Sequence, residues 1–269
     1  MSGPVLAVAD LAVSVAGRRV VDGADIVLAP GEVTALVGRS GSGKSLMARS
    51  LLGLLPGSAR ATGTALLDTG DGRVHDLLKL PPRLLHPLRG PGIGYVFQEA
   101  QASLNPTVTI GGHLQETLKA HGVHRAQRRA RGLDVLRQAG IQAPERIWPA
   151  YPFELSGGQA QRVAIALAWA RAPRLLIADE VTSALDPVAQ ADVLDMLRAG
   201  TAAGDRALLL ITHDLAVAGR WADRVAVLDG GRIVEEGPAE RLLRDPAHPF
   251  TSALVRASGS IHATVGRHH

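Results

Sequence analysis

The 269-residue chain contains no cysteine, which excludes disulfides, thiolate zinc sites and iron–sulfur clusters held by thiolate. The same absence fits a reducing compartment. Aromatic residues are only 3% of the chain, too few for the stacking platforms on which single-stranded nucleic acid is bound. Lysine is scarce as well: Lys44, Lys79 and Lys119 are the whole set, so the formal net charge of +4 rests on arginine. The one dense basic run, Arg125, Arg128, Arg129 and Arg131, is interleaved with alanine and glutamine and reads as a solvated helix face, not a nucleic-acid patch. No uncharged apolar run reaches the ~18 residues that cross a bilayer. Met1 to Val8 lacks the basic start of a signal peptide, so none is expected. With 46% apolar residues the chain has enough to bury a sizeable core, as one large domain or two small ones.

Glycine is placed where chemistry needs it. Gly38-Arg39-Ser40-Gly41-Ser42-Gly43-Lys44-Ser45 satisfies the phosphate-binding loop pattern G-x-x-x-x-G-K-[ST] in full. Before it, Val33, Ala35, Leu36 and Val37 suit a strand buried on both faces. After it, Leu46, Met47, Leu51, Leu52, Leu54 and Leu55 recur at helical spacing until Pro56-Gly57. In that strand, turn and helix context the glycines let backbone N–H groups face inward as an anion nest, and the helix N-terminus adds positive partial charge. Lys44 is then expected to reach the β and γ phosphates, and Ser45 to ligate Mg²⁺.

Around this loop, Val5 to Leu28 alternates loosely about Gly17 and Gly23, and Gly63 to Val74 is broken by a turn-rich Asp68–Gly72 segment. Both read as short antiparallel strands flanking an α/β core. Gly94-Tyr95-Val96-Phe97-Gln98 is a short apolar strand ending in an amide, and helical patterning from about Ile110 to Ala139 predicts an insert. Leu155-Ser156-Gly157-Gly158-Gln159 then opens a helix read over Gln161 to Ala170. Ser156 and the two glycines stand at its N-terminus, where an anion is favoured.

Leu175 to Ala178 is a buried strand that delivers Asp179 and Glu180 at its C-terminal end. Asp179 is expected to hold Mg²⁺, and Glu180 to orient and deprotonate an attacking water. Asp186-Pro187 starts a helix with an N-cap carboxylate and a first-turn proline, with Val188, Ala191, Leu194 and Leu197 on one face and Gly200 as its end. Ala207 to Ile211 is a further buried strand ending at Thr212-His213, and His213 is read as a hydrogen-bond partner of the γ phosphate or the water. Arg224–Asp229 and Arg232–Glu236 form a final hairpin.

Together the phosphate loop, Gln98, the Leu-Ser-Gly-Gly-Gln run at 155–159, Asp179-Glu180, Ser183-Ala184-Leu185-Asp186 and His213 resemble the nucleotide-binding subunits of ATP-binding cassette transporters. The resemblance implies an α/β fold with a P-loop NTPase, RecA-like core, an antiparallel β subdomain and an inserted α-helical subdomain. It divides the chain into a core at 1–95 and 160–240, a helical insert at 96–159 and a C-terminal extension at 241–269. It further implies that ATP and Mg²⁺ lie between the phosphate loop of one subunit and the Ser156–Gln159 turn and Asp186 of another, with Gln98 sensing Mg²⁺ and the attacking water. The implied setting is the cytoplasmic face of a bacterial inner membrane. The implied partners are a second, non-identical ATPase subunit, two permeases and an extracytoplasmic solute-binding protein, with no nucleic acid.

Asp76 to Leu80, Ser103-Leu104-Asn105-Pro106, Tyr151-Pro152-Phe153-Glu154 and His248-Pro249-Phe250-Thr251 look like the peptide and nickel importer branch. The lack of cysteine is similar to the short nickel-type subunits. Rival readings are a soluble cassette ATPase acting on nucleic acid or ribosomes, an exporter or lipoprotein-releasing ATPase, and a phosphonate-system cassette protein. Three features depart from the family pattern. Val181 stands where proline commonly follows the glutamate, and no aromatic precedes Tyr95 to stack on adenine, leaving Val20 or the guanidinium of Arg18 or Arg19 for that task. The tail histidines His262, His268 and His269 are read as a frayed or tag-like terminus.

Overall fold

A computed structural model describes residues 3–183, 185–202 and 204–258. Ala184 and the three tail histidines lie outside the described residues. In chain order the strands are β1 (Leu6–Val15), β2 (Arg18–Leu28), β3 (Val33–Val37), β4 (Ala59–Asp68), β5 (Val74–Asp76), β6 (Ile93–Val96), β7 (Leu175–Asp179), β8 (Ala207–Thr212), β9 (Arg224–Asp229) and β10 (Arg232–Pro238). The loosely alternating segments pair antiparallel in a sheet of order β2-β1-β4-β5. The continuous apolar runs form the other sheet, of order β10-β9-β3-β8-β7-β6, parallel throughout except for the β9–β10 hairpin. Every residue of β3, β7 and β8 is buried, as sequences with no polar face require when both sides of a sheet are covered.

The helices are α1 (Lys44–Leu51), α2 (Pro82–Leu85), α3 (Ile110–Ala120), α4 (Arg125–Gln138), α5 (Pro144–Ile147), α6 (Gly157–Trp169), α7 (Pro187–Ala202), α8 (Leu215–Trp221), α9 (Ala239–Arg244) and α10 (Pro249–Ala257). One core joins α1 and the antiparallel sheet to Leu36, Ile177 and Leu209. A second lies on the opposite strand face, where Ala35, Ala178 and Leu210 meet Ile165, Leu194 and Val217. A third belongs to the insert, with Ile110, Leu114, Leu136 and Val163 at its centre.

Several boundaries differ from the sequence reading for local reasons. Helix α1 stops at Leu51, ahead of Leu54 and Leu55, because Gly53 takes φ +62 and the chain turns there. The stretch from Ile110 to Ala139 is two helices, parted at Gly122 with φ +75. Helix α6 begins at Gly157, four residues before the expected start. Gly200 does not end α7: a Cβ there would lie 2.5 Å from the Trp169 ring, so this glycine admits an indole inside the helix. Leu194 and Leu197 are buried as expected, but Val188 is 73% exposed, Ala191 is half-buried, and Val193 joins the buried face.

The insert is built around another indole. A Cβ on Gly111 would stand 2.3 Å from Trp148 Nε1, and one on Gly132 2.6 Å from the far edge of the same ring. Gly111→Ala therefore forces the ring out of its slot. It is expected to cost about 1–3 kcal/mol, the range for overpacking a filled core, seen as a lower Tm and a shifted tryptophan emission. An unchanged Tm would show that the ring is not wedged there.

Candidate active site

The C-terminal ends of four parallel strands deliver the candidate residues, as is general for ligand sites in open α/β sheets. β3 ends at Val37, so the turn from Gly38 to Gly43 crosses that edge before α1 begins at Lys44. β7 ends at Asp179 with Glu180 next, β8 ends one residue before His213, and β6 ends two residues before Gln98.

The loop has no room for side chains at two places. A Cβ on Gly38 would stand 2.2 Å from the Leu228 carbonyl oxygen, and one on Gly43 2.9 Å from Val21 Cγ2, with φ +107. Gly41 also has positive φ, while Arg39 and Ser40 are exposed. Lys44 is buried, and its Nζ donates to the carbonyl oxygens of Gly38 at 2.8 Å and Arg39 at 3.0 Å. Burial pushes its ammonium below the ordinary lysine value, opposed by the charges of Glu180 and Asp179. Ser42 Oγ is enclosed without a hydrogen-bond partner among the described residues. A buried hydroxyl left unpaired is costly, so the loop presents a hydroxyl and an ammonium fit for an anion.

Asp179 is 1% exposed, and both of its oxygens are engaged. Ser45 Oγ donates to Oδ1 at 3.0 Å, and the Tyr95 hydroxyl donates to Oδ2 at 2.5 Å. Burial pushes the Tyr95 phenol far above its usual value, the hydrogen bond and charge of Asp179 push the same way, and Arg49 opposes them. The phenol therefore stays protonated and acts as donor. Hydroxyl and carboxylate oxygens are the hard donors that suit Mg²⁺, so Ser45 and Asp179 fit the ion expected there.

Glu180 takes φ +49, a left-handed conformation that costs a non-glycine residue of order 1–3 kcal/mol. Buried Val181 follows it, and the restriction that proline imposes on a preceding residue does not apply. Gln98 Nε2 donates to Glu180 Oε2 at 2.9 Å, and His213 Nδ1 lies 3.4 Å from Oε1. Thr182, Ser183, Gln190 and Asp214 line a cleft of about 190 Å³ beside this pair.

The remaining predicted residues stand apart. Ser156 caps α6, its Oγ accepting from Gln159 N–H at 3.3 Å while Gln159 Oε1 accepts from Ser156 N–H at 3.1 Å. Ser156, Gly157 and Gln159 are exposed, and Gly158 is half-buried. Asp186 Oδ1 accepts from the N–H groups of Val188 and Ala189, both at 3.0 Å. Among the described residues, no hydrogen bond joins either group to the 38–45 loop. Of the residues proposed for the base, Arg19 is occupied by Asp22, which also accepts from Arg232, whereas Arg18 is exposed and Val20 lies against Gly43.

Two contacts escaped the sequence reading. Tyr95 was seen only as part of an apolar strand; its signal was a phenol inside a buried run, where the hydroxyl needs a partner. The His248–Thr251 segment also reaches the loop. Glu235 accepts from Ala247 and His248 N–H groups, His248 Nδ1 caps α10, and the Arg39 guanidinium lies 5.6 Å over the Phe250 ring.

A phosphate loop at the edge of a parallel sheet, flanked by an antiparallel sheet and a helical insert, defines a P-loop nucleotide-binding protein. A family model described as "ABC transporter" matches residues 21–183, and the chain belongs to that family. The peptidoglycan transport ATP-binding protein YejF of Agrobacterium fabrum is 46% identical over 94% of this chain and 47% of its own length. The dipeptide transport ATP-binding protein DppD of Haemophilus influenzae is 41% identical over 89% of this chain and 72% of its own length. The oligopeptide transport ATP-binding protein OppD of Mycobacterium tuberculosis is 40% identical over 98% and 43%. The chain thus spans about half the length of YejF and of OppD. The names of these three specify peptides or peptidoglycan, whereas the sequence reading leaned toward the nickel-type subunits. Among solved structures, a dimeric post-hydrolysis form of the cassette MJ0796 bound to ADP and Pi matches with TM-score 0.74 and 28% identity, covering 87% of this chain and 98% of that one.

Proposed function

We propose that this chain is the ATP-hydrolysing subunit of a membrane importer for peptides or similarly small solutes. The observation that carries the reading is the Gln98 hydrogen bond to the Glu180 carboxylate at 2.9 Å, with His213 Nδ1 3.4 Å from its other oxygen, on the same strand edge as Lys44, Ser45 and Asp179. The N–H groups of the loop, Ser42 and Lys44 receive the triphosphate. Ser45 and Asp179, with Gln98, would hold Mg²⁺, which would supply positive charge to neutralise the phosphate oxygens. Glu180 accepts the proton of the attacking water, and His213 hydrogen-bonds the γ phosphate.

Half of the pocket must come from another subunit. The Ser156–Gln159 turn and Asp186 are not bonded to the loop of their own chain, and the dimeric form of the MJ0796 cassette supports a seam between two copies. In the importer reading the opposing cassette is a non-identical one. The helical insert at 96–159 and Gln98 face two permeases on the cytoplasmic side of the membrane, and a solute-binding protein delivers cargo outside.

A strain lacking this gene is expected to lose uptake of radiolabelled di- and oligopeptides, recovering it with the wild-type chain and not with Glu180→Gln. Unimpaired peptide uptake in the deletion strain overturns the cargo class. Recovery with Glu180→Gln overturns the role of hydrolysis.

A further inference from the structure

We infer that Tyr95 is a positioning residue for the metal ion: its hydroxyl fixes the Asp179 carboxylate in the orientation that holds Mg²⁺. The inference rests on the ATPase reading above and adds a residue to its site.

β6 and β7 are parallel neighbours with Tyr95 opposite Ile177, which puts the phenol on the strand face that carries Asp179 two residues on. The Tyr95 hydroxyl meets Oδ2 at 2.5 Å and Ser45 Oγ meets Oδ1 at 3.0 Å, so the carboxylate is held from two sides and cannot rotate freely. Phenylalanine would fill the same space against Phe97, whose ring centroid is 4.6 Å from that of Tyr95. It would leave Oδ2 of a carboxylate that is 1% exposed without this donor. The hydroxyl is thus the part of the residue with a task beyond packing. Groups that hydrogen-bond a metal-binding carboxylate set its aim and its basicity, and their loss weakens metal binding while the ligands themselves remain. The same strand leads to Gln98, which donates to Glu180 at 2.9 Å, so the chain from Tyr95 to Gln98 holds both acids of the site.

The test is Tyr95→Phe, with Mn²⁺ as a paramagnetic stand-in for Mg²⁺ and a non-hydrolysable ATP analogue as the nucleotide. Electron paramagnetic resonance reads free Mn²⁺, and a fluorescent ATP analogue in EDTA reads nucleotide binding without metal. The variant is expected to weaken Mn²⁺ binding to the nucleotide complex by about tenfold and to leave metal-free nucleotide affinity within about twofold of wild type. Mn²⁺ affinity within about twofold of wild type would overturn the inference. So would a parallel loss of metal-free binding with a lowered Tm, the mark of a purely structural role. A wild-type chain whose nucleotide binding shows no dependence on metal overturns the ATPase reading as well. Metal dependence that the variant retains unchanged overturns this inference alone.

Discussion

Glu180→Gln is expected to bind Mg²⁺–ATP nearly as well as wild type while its turnover falls by roughly 10²–10⁴-fold, the usual contribution of a general base. The substitution removes a proton acceptor and little else. Glutamine is close to isosteric, its amide oxygen still accepts the Gln98 hydrogen bond seen at 2.9 Å, and nothing changes at Lys44 or Ser45. The left-handed backbone at Glu180 is fixed by its own N–H donating to the Ile211 carbonyl at 3.0 Å, so the strain is common to both forms. In the proposed two-subunit pocket, hydrolysis separates the halves, so the variant is expected to accumulate as an ATP-bound dimer. Size-exclusion chromatography with ATP and single-turnover kinetics check the two parts separately. Turnover at the wild-type rate would remove Glu180 from the chemistry. Slow turnover without a dimer would instead place the second half of the pocket somewhere other than a neighbouring cassette.

The sequence made this site legible because its residues are constrained by spacing that survives folding. The loop from Gly38 to Ser45 works as one local turn. Asp179, Glu180 and His213 follow strands whose uniform burial already writes them as apolar runs. Gln98 came from a resemblance and was then found against Glu180. The sequence could not show what depends on contacts across the fold. Gly200 looks like a helix end until the Trp169 ring is placed over it, and Tyr95 looks like strand packing until Asp179 arrives 84 residues later. Val20 became the apolar neighbour of the loop because β2 crosses above Gly43, a pairing that no local pattern encodes. The names of the relatives specify peptides or peptidoglycan, whereas the leaning toward nickel rested on the absence of cysteine and not on any residue that would meet the cargo.

Lys44→Met carries the other large effect. The ammonium donates to the carbonyl oxygens of Gly38 and Arg39 at 2.8 and 3.0 Å, so it already stands inside the loop that would wrap the phosphates. In the proposed site those donors turn to phosphate oxygens when nucleotide binds, and charge-assisted hydrogen bonds of this kind are worth about 1.5–3 kcal/mol each. Losing two of them weakens ATP by about two to four orders of magnitude. Folding should hardly change, because two opposing effects act on the free protein. Methionine abandons two hydrogen bonds to backbone carbonyls, but it also removes an ammonium that burial has pushed below its ordinary value. Desolvating a charge costs several kcal/mol, which offsets the lost bonds. The expected outcome is a variant with wild-type circular dichroism, a Tm within a few degrees of wild type, and fluorescent-ATP binding too weak to saturate. Wild-type affinity in a folded Lys44→Met chain would mean that the nucleotide does not lie in the loop from Gly38 to Ser45. A collapsed Tm would mean instead that the two carbonyl contacts outweigh the desolvation, and Lys44→Arg would then separate charge from shape at the same position.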